Sequence, residues 1–128
     1  MFNKGDILLP SNNLKKNDWL NGLFHPAVVW DQNYNGKSDF RGIMITHTSH
    51  SANADNILMA ANHFENGYPV RFTNSHFVNK IFIKFHFWGP FELVGRLTAE
   101  GMNFIERNLD TSIDPIQFTI YRDSLIAN

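Results

Sequence analysis

Apolar residues in this chain come in short runs that polar and turn-forming residues separate. This spacing is typical of a protein built mainly from short strands. We predict strands at GDILLP (5–10), HPAVVW (25–30), RGIMITHTS (41–49), YPVRF (68–72), KIFIKFHF (80–87) and FELVGRL (91–97). The third run begins with Ile43-Met44-Ile45, which indicates a strand buried on both faces. Two further segments are less regular: ILMAANHF (57–64) fits either a strand or a short helix, and IQFTIY (116–121) alternates as a late edge strand does.

One segment near the C-terminus, residues 98–109, predicts a helix. Thr98 has the side chain of an N-cap, and three apolar residues follow on one face at helical spacing: Met102, Ile105 and Leu109. Several short strands with one helix predict a mainly β fold, a small and mostly antiparallel barrel. Neither a repeat nor a linker divides the chain, so we expect a single domain over residues 1–128.

Composition narrows the functional classes. Hydrophobic residues make up 43% of the 128, which is enough for a core, and the absence of cysteine excludes disulfides and thiolate metal sites. A formal net charge of −1 gives no overall basic excess, so binding to nucleic acid would depend on a local patch. No apolar run reaches the length of a membrane span or of a signal-peptide core. We therefore expect a cytoplasmic protein with no membrane association.

Five short motifs follow one another in a set order along the chain. They are Gly5-Asp6-Ile7, His25-Pro26-Ala27-Val28-Val29, Thr46-His47-Thr48-Ser49, the segment Val70–Asn79 and Val94-Gly95-Arg96-Leu97-Thr98-Ala99-Glu100. In order and spacing they resemble the motifs of the MazF/PemK family, the toxin endoribonucleases of bacterial toxin–antitoxin pairs. The resemblance extends over about residues 5–109 and leaves 110–128 as a C-terminal extension of unassigned role.

The resemblance implies an SH3-like barrel, cleavage of single-stranded RNA independently of the ribosome, a homodimer, and inhibition by a cognate antitoxin protein. It also marks a difference in chemistry, because the family has an arginine before the proline and this chain has His25. The acidic residue and the second arginine of the family's later segment fall on Thr73 and Phe77. Either the chemistry has been rebuilt around histidines or it has been lost.

RNA cleavage without a metal needs a base, an acid and donors that stabilise the charge of the phosphorane. Because imidazole titrates near neutral pH, we assign His25 as general acid or base. By the resemblance, Thr48 donates to a phosphate oxygen, and His47 is a second candidate for proton transfer. Adjacent strand residues point to opposite faces, so a regular strand lets only one of these two face the cleft. RNA contacts are assigned to four residues: Arg71 on a phosphate, together with Asn74, His76 and Ser49.

Each of these residues also has a purely structural interpretation. His25 fits a solvated residue before a proline, Thr48-Ser49 fits a strand end that satisfies its own backbone, and Arg71 fits an ion pair with a glutamate. On that interpretation the alternative function is a non-catalytic SH3-like module that binds a protein or RNA partner.

Two other clusters carry weaker expectations. His47, His50 and His63 lack the spacing of a zinc motif, so we expect neither a metal nor a cofactor. The run Phe82–Trp88 mixes aromatic residues with two basic ones and could stack bases. Its rings fall on both sides of the strand, which favours burial on both faces and therefore a second subunit.

Overall fold

The computed structural model of the chain describes residues 1–10, 25–47, 56–84, 90–112, 114–117 and 120. These residues form a mainly β structure with one α-helix near the C-terminus. The strands are β1 (Asp6–Pro10), β2 (Ala27–Val29), β3 (Phe40–Thr46), β4 (Asn56–Leu58), β5 (His76–Val78), β6 (Phe82–Lys84) and β7 (Phe91–Arg96). They make an antiparallel sheet in the order β4-β5-β3-β2-β1-β7, with β6 paired to β3. Within the described ranges the sheet does not close on itself.

Strand β3 is the centre of the sheet. Along one edge it pairs with β2, and along the other it pairs first with β6 and then with β5. All of its residues except Arg41 are buried, which confirms that the Ile43-Met44-Ile45 run belongs to a strand covered on both faces.

The two faces of the sheet carry separate apolar clusters, because successive strand residues alternate between faces. Val28 lies opposite Ile43, and Ala27 lies opposite Met44. The Ile43 face, as we call the first, packs a core that includes Ile7, Val28, Ile43, Ile45, Phe64, Phe72, Phe77, Leu97 and Ile105. The Met44 face packs two smaller clusters, one with Leu8, Ala27, Val29, Tyr34 and Phe40, the other with Met44, Val78 and Phe82.

The helix α1 spans Ala99–Asn108, as its sequence predicts. Thr98 Oγ1 accepts the Gly101 N–H at 3.1 Å and donates to the Asn62 carbonyl at 2.7 Å, so the predicted N-cap is confirmed. The same end of the helix packs against a 3-10 helix at Ala61–His63, where Thr98 N–H donates to the His63 carbonyl at 3.0 Å. These contacts hold α1 against the Ile43 face.

Four predicted strands are confirmed close to their expected bounds, at β1, β2, β3 and β7. The prediction of a strand at 68–72 is wrong. Gly67 has φ +93°, Pro69 has no N–H for a strand ladder, and Phe72 instead turns into the core, where its ring stacks on Phe64 with centroids 4.9 Å apart. Strand β5 was not predicted, because its three residues are too few to show a period.

The ambiguous segments resolve into short elements. Residues 57–64 contain both alternatives, the end of β4 and then the 3-10 helix. In the predicted strand at 80–87, β6 accounts for Phe82–Lys84, and 85–87 lie outside the described residues. From the late segment, Ile116 forms a parallel bridge to Phe82, with 118, 119 and 121 outside the description. None of the helices that the structure describes is long and apolar enough to cross a membrane.

Candidate functional site

Four polar residues lie on the Met44 face, and we call them the His25 cluster: His25, Thr46, His76 and Lys84. Thr46 and His76 are direct partners across β3 and β5, so their side chains share a face. On the other edge of β3, the Pro26 carbonyl accepts the Ile45 N–H at 2.9 Å, which continues the β2–β3 register and brings His25 level with Thr46. Buried polar residues are uncommon in a sheet core, so this cluster needs an explanation.

The position of the His25 ring follows from the proline beside it. In an antiparallel ladder a hydrogen-bonded pair exchanges two N–H···O bonds, but Pro26 has no N–H to offer Ile45. The His25 ring donates to the Ile45 backbone carbonyl instead. This bond fixes the ring against the strand and satisfies an acceptor that the ladder leaves open.

The environment of His25 lowers the pKa of its imidazole. Burial lowers the pKa of the imidazole, the positive charge of Lys84 lowers it further, and the hydrogen bond to Ile45 opposes both. A neutral imidazole that donates from one ring nitrogen has a lone pair on the other. His25 is only partly buried, so part of the residue is accessible to solvent.

Lys84 is the unusual member of the cluster, because its side chain is 1% exposed. It lies over Gly42 of β3, where an added Cβ would come within 3.3 Å of Lys84 Cγ and 3.2 Å of Ala27 Cβ. Glycine at this position therefore makes room for the lysine stem. Burial lowers the pKa of Lys84 to about 8, so the amine is mostly charged at neutral pH yet can release its proton readily.

His76 was predicted as an RNA contact and is 8% exposed. Its Nδ1 atom is buried and has no hydrogen-bond partner among the residues that the structure describes. A buried donor or acceptor without a hydrogen bond costs free energy. The His76 Nδ1 atom could therefore gain a hydrogen bond from a bound ligand beside Thr46.

The other predicted catalytic residues lie at the end of β3. His47 is exposed and directly follows Thr46. Because β3 ends at Thr46, strand alternation does not determine the direction of the His47 side chain. Thr48 and Ser49 lie outside the described residues.

Arg71 and Asn74 lie in a different environment from His25. Arg71 is exposed and lines a cavity with Phe64, Tyr68 and Phe72. The Phe72 ring covers Gly95 and contacts the core of the Ile43 face, so this cavity opens on the opposite side of the sheet from the His25 cluster. Asn74 is exposed with φ +51°, a left-handed conformation that asparagine tolerates better than most residues.

Sequence reasoning did not select Thr46 or Lys84. A signal for Lys84 was present, since strict alternation puts it on the same side of β6 as Phe82. A lysine on the apolar side of a strand is a candidate for a buried charge.

His63, considered above as a metal ligand, has a local structural role. Its Nδ1 accepts the Ala60 N–H at 2.9 Å, and its ring stacks on Phe104 with centroids 4.4 Å apart. Over the described ranges no group of three His, Cys, Asp or Glu side chains is arranged to hold a metal ion.

Comparisons of the chain with family models, curated proteins and solved structures return no match. Its function must therefore be inferred from its own residues and their geometry.

Proposed function

We propose that the chain is an endoribonuclease toxin of the MazF/PemK kind, with an SH3-like barrel, that cleaves single-stranded RNA without a metal. One observation carries the proposal: the strand register places His25 level with Thr46 on the Met44 face, where burial and the charge of Lys84 lower the pKa of its imidazole. An imidazole in that state can accept a proton at neutral pH, which the arginine expected at this position cannot.

His25 acts as the general base in this mechanism. The imidazole takes the proton of a ribose 2′-hydroxyl, and the 2′-oxygen forms a bond to the adjacent phosphorus. The bond from phosphorus to the 5′-oxygen of the next nucleotide breaks as that oxygen takes a proton. The products are a 2′,3′-cyclic phosphate and a 5′-hydroxyl.

Lys84 supplies positive charge to the same reaction. A buried ammonium stabilises the additional negative charge of the phosphorane more strongly than a solvated one. Because the Lys84 side chain is buried, it acts through its charge, and the exposed His47 is the proposed proton donor for the leaving oxygen. Thr48 retains its proposed role as a donor to a phosphate oxygen, with Ser49 and His76 as RNA contacts.

A pair of substitutions at His25 separates catalysis from structure. His25→Gln keeps an N–H donor for the Ile45 carbonyl but has no basic nitrogen, whereas His25→Ala removes both. We expect His25→Gln to reduce cleavage of a mixed-sequence RNA in EDTA by about 100-fold or more. Lys37→Gln, in an exposed loop, is the matched control and should cleave as the wild type does. Full cleavage by His25→Gln would refute the base role.

A second function is favoured by the same hydrogen bond. Because Pro26 leaves the Ile45 carbonyl open, His25 is explained on structural grounds alone, as it would be in a non-catalytic barrel that binds a protein or RNA. On that alternative the wild type cuts no RNA and cells that express it grow normally, while His25→Ala still lowers the thermal midpoint of unfolding. A toxic, RNA-cutting wild type rules this alternative out.

We further propose that the protein is a homodimer and that a cognate antitoxin binds it. Among the described residues β4 has a neighbour on one side only, and its Leu58 is 59% exposed. A short edge strand with an exposed apolar side chain is suited to pairing with another chain. Light scattering that finds only monomer at micromolar concentration would refute the homodimer.

A further inference from the structure

A cavity of about 630 Å³ opens beside the loop that joins the 3-10 helix to β5, and we call it the Arg71 cavity. Its volume lies within the range that small-molecule and nucleotide sites occupy. The residues that line it include Phe64, Glu65, Tyr68, Arg71 and Phe72. It lies on the Ile43 side of the sheet and takes no part in the His25 cluster.

Three aromatic residues line this cavity: Phe64, Tyr68 and Phe72. Phe64 and Phe72 are buried and stacked, with centroids 4.9 Å apart and planes 17° apart. Tyr68 is partly exposed, and the Arg96 guanidinium lies over its ring, 5.8 Å from the centroid. A ring held in this way keeps its orientation, so its exposed surface is a prepared stacking platform.

Two charged side chains are among the described residues that line the cavity, the cation Arg71 and the carboxylate Glu65. Two carboxylates lie against Arg96: Asp6 at 2.7 Å and Glu65 at 3.9 Å. Arg71 itself has neither an ion pair nor a hydrogen bond with any residue in the described part of the chain. An exposed guanidinium beside aromatic rings is suited to a ligand that is both flat and anionic.

We infer that the Arg71 cavity binds one nucleotide unit, with its base stacked on Tyr68 and its phosphate on Arg71. The inference rests on the proposed function in one respect: that function makes single-stranded RNA the source of the nucleotide, rather than a free mononucleotide. Since the cavity and His25 lie on opposite sides of the sheet, this site contributes affinity for RNA and leaves bond cleavage to the His25 cluster.

Binding is tested on the full-length His25→Gln chain, in which we expect cleavage of the probe to be slowed by about 100-fold or more. Anisotropy of a fluorescein-labelled hexauridylate gives the dissociation constant. Removing one stacking or phosphate contact with Tyr68→Leu or Arg71→Gln should raise it about tenfold. Tyr68→Phe keeps the ring and should bind as the parent does. Arg41→Gln removes an arginine that pairs with Asp31 at 2.9 Å far from this cavity, and it is the matched charge control.

The source of the nucleotide is tested by titration with uridine 5′-monophosphate. If the dissociation constant of the mononucleotide were equal to or lower than that of the hexamer, the ligand would be a free nucleotide, and RNA would be overturned as its source. The site itself would be overturned if Arg71→Gln or Tyr68→Leu bound the hexamer with the same dissociation constant as Arg41→Gln and kept an unchanged thermal midpoint of unfolding.

Failure of this inference is distinguishable from failure of the proposed function. If the wild type cuts RNA and Arg71→Gln leaves its KM unchanged, the cavity is not a nucleotide site, although the nuclease proposal stands. Suppose instead that the wild type does not cut RNA, while its binding of hexauridylate still depends on Tyr68 and Arg71. The nucleotide site then stands and the nuclease proposal fails.

Discussion

The charge of Lys84 on β6 lowers the pKa of His25 at the start of β2, second only to the effect of burial. Lys84 is buried, so solvent and salt screen its charge weakly. We expect Lys84→Met to raise the pKa of His25 toward its ordinary value, as measured by NMR titration of the imidazole Cε1–Hε1 signal. Lys37→Met, which removes an exposed charge, should leave that titration unchanged. A lower or unaltered His25 pKa in Lys84→Met would contradict the coupling.

Lys84 should also make the protein more stable in mild alkali. Its pKa falls from 10.5 in the unfolded chain to about 8 in the folded one. Between these values the unfolded state binds more protons, so the free energy of unfolding rises with pH. We expect an increase on the order of 2 kcal/mol between about pH 7.5 and about pH 9.5, from urea unfolding at each pH. Lys84→Met should show a much flatter profile, and an equally steep one would disprove this origin.

Two histidines should make the protein less stable in mild acid. Burial is the first cause that lowers the pKa of both His25 and His63. Below about pH 6.5 these histidines are protonated in the unfolded chain but not yet in the folded one. The free energy of unfolding therefore decreases as the pH falls, until the pH is below the lowered pKa values of the folded state. Protonation of His63 at Nδ1 also breaks its bond with the Ala60 N–H. His63→Gln should reduce the slope of unfolding free energy against pH, and stability that stays constant below pH 6.5 would contradict the assignment.

Gly101 should be intolerant of alanine, although alanine is the better helix former. An added Cβ would overlap the His63 carbonyl oxygen, which is backbone and has little freedom to move. A Gly→Ala substitution at an exposed helix position usually raises the free energy of unfolding by about 1 kcal/mol, because alanine has the higher helix propensity. For Gly101→Ala we expect the free energy of unfolding to fall by about 2 kcal/mol or more, because of the steric overlap. Asn103→Ala, at an exposed position of α1, is the control and should gain a few tenths of a kcal/mol. Chemical unfolding of both variants measures the difference, and a stabilised Gly101→Ala would show that α1 can shift.

Arg96 has two carboxylate partners of very different value. Asp6 is buried and accepts two hydrogen bonds. Its Oδ1 accepts one from Arg96 Nε–H at 2.7 Å, and its Oδ2 accepts one from the Asn3 N–H at 2.9 Å. Glu65 is exposed and 3.9 Å from the same nitrogen. We expect Asp6→Asn to cost about 2 kcal/mol and Glu65→Gln less than about 1 kcal/mol in urea unfolding. Equal costs would mean that burial of Asp6 does not strengthen the pair.

Much of the framework could be predicted from local patterns. The runs around Ile7, Val28 and Ile43 predict β1, β2 and β3, and Thr98 predicts the start of α1. One strand prediction was wrong. The segment at 68–72 has strand-forming residues, but Gly67 and the burial of Phe72 determine its path.

The candidate site was predictable only in part. His25 was selected because a titratable residue precedes Pro26, yet its partner Ile45 lies 20 positions further along the chain. Lys84 is brought toward it by the pairing of β6 with β3, which no local period encodes. Arg71 was expected to act near His25, and the structure places it in a cavity on the other side of the sheet.

By itself, then, the sequence determined a mainly β chain with a capped C-terminal helix and a histidine at the mouth of its second strand, because hydrophobic period and capping act over a few neighbouring residues. Only the tertiary structure decided that a lysine is buried near that histidine and that an arginine with no ion pair in the described part of the chain borders aromatic rings. Both facts depend on strand register and on burial, which join residues distant in sequence and set the strength of their charges.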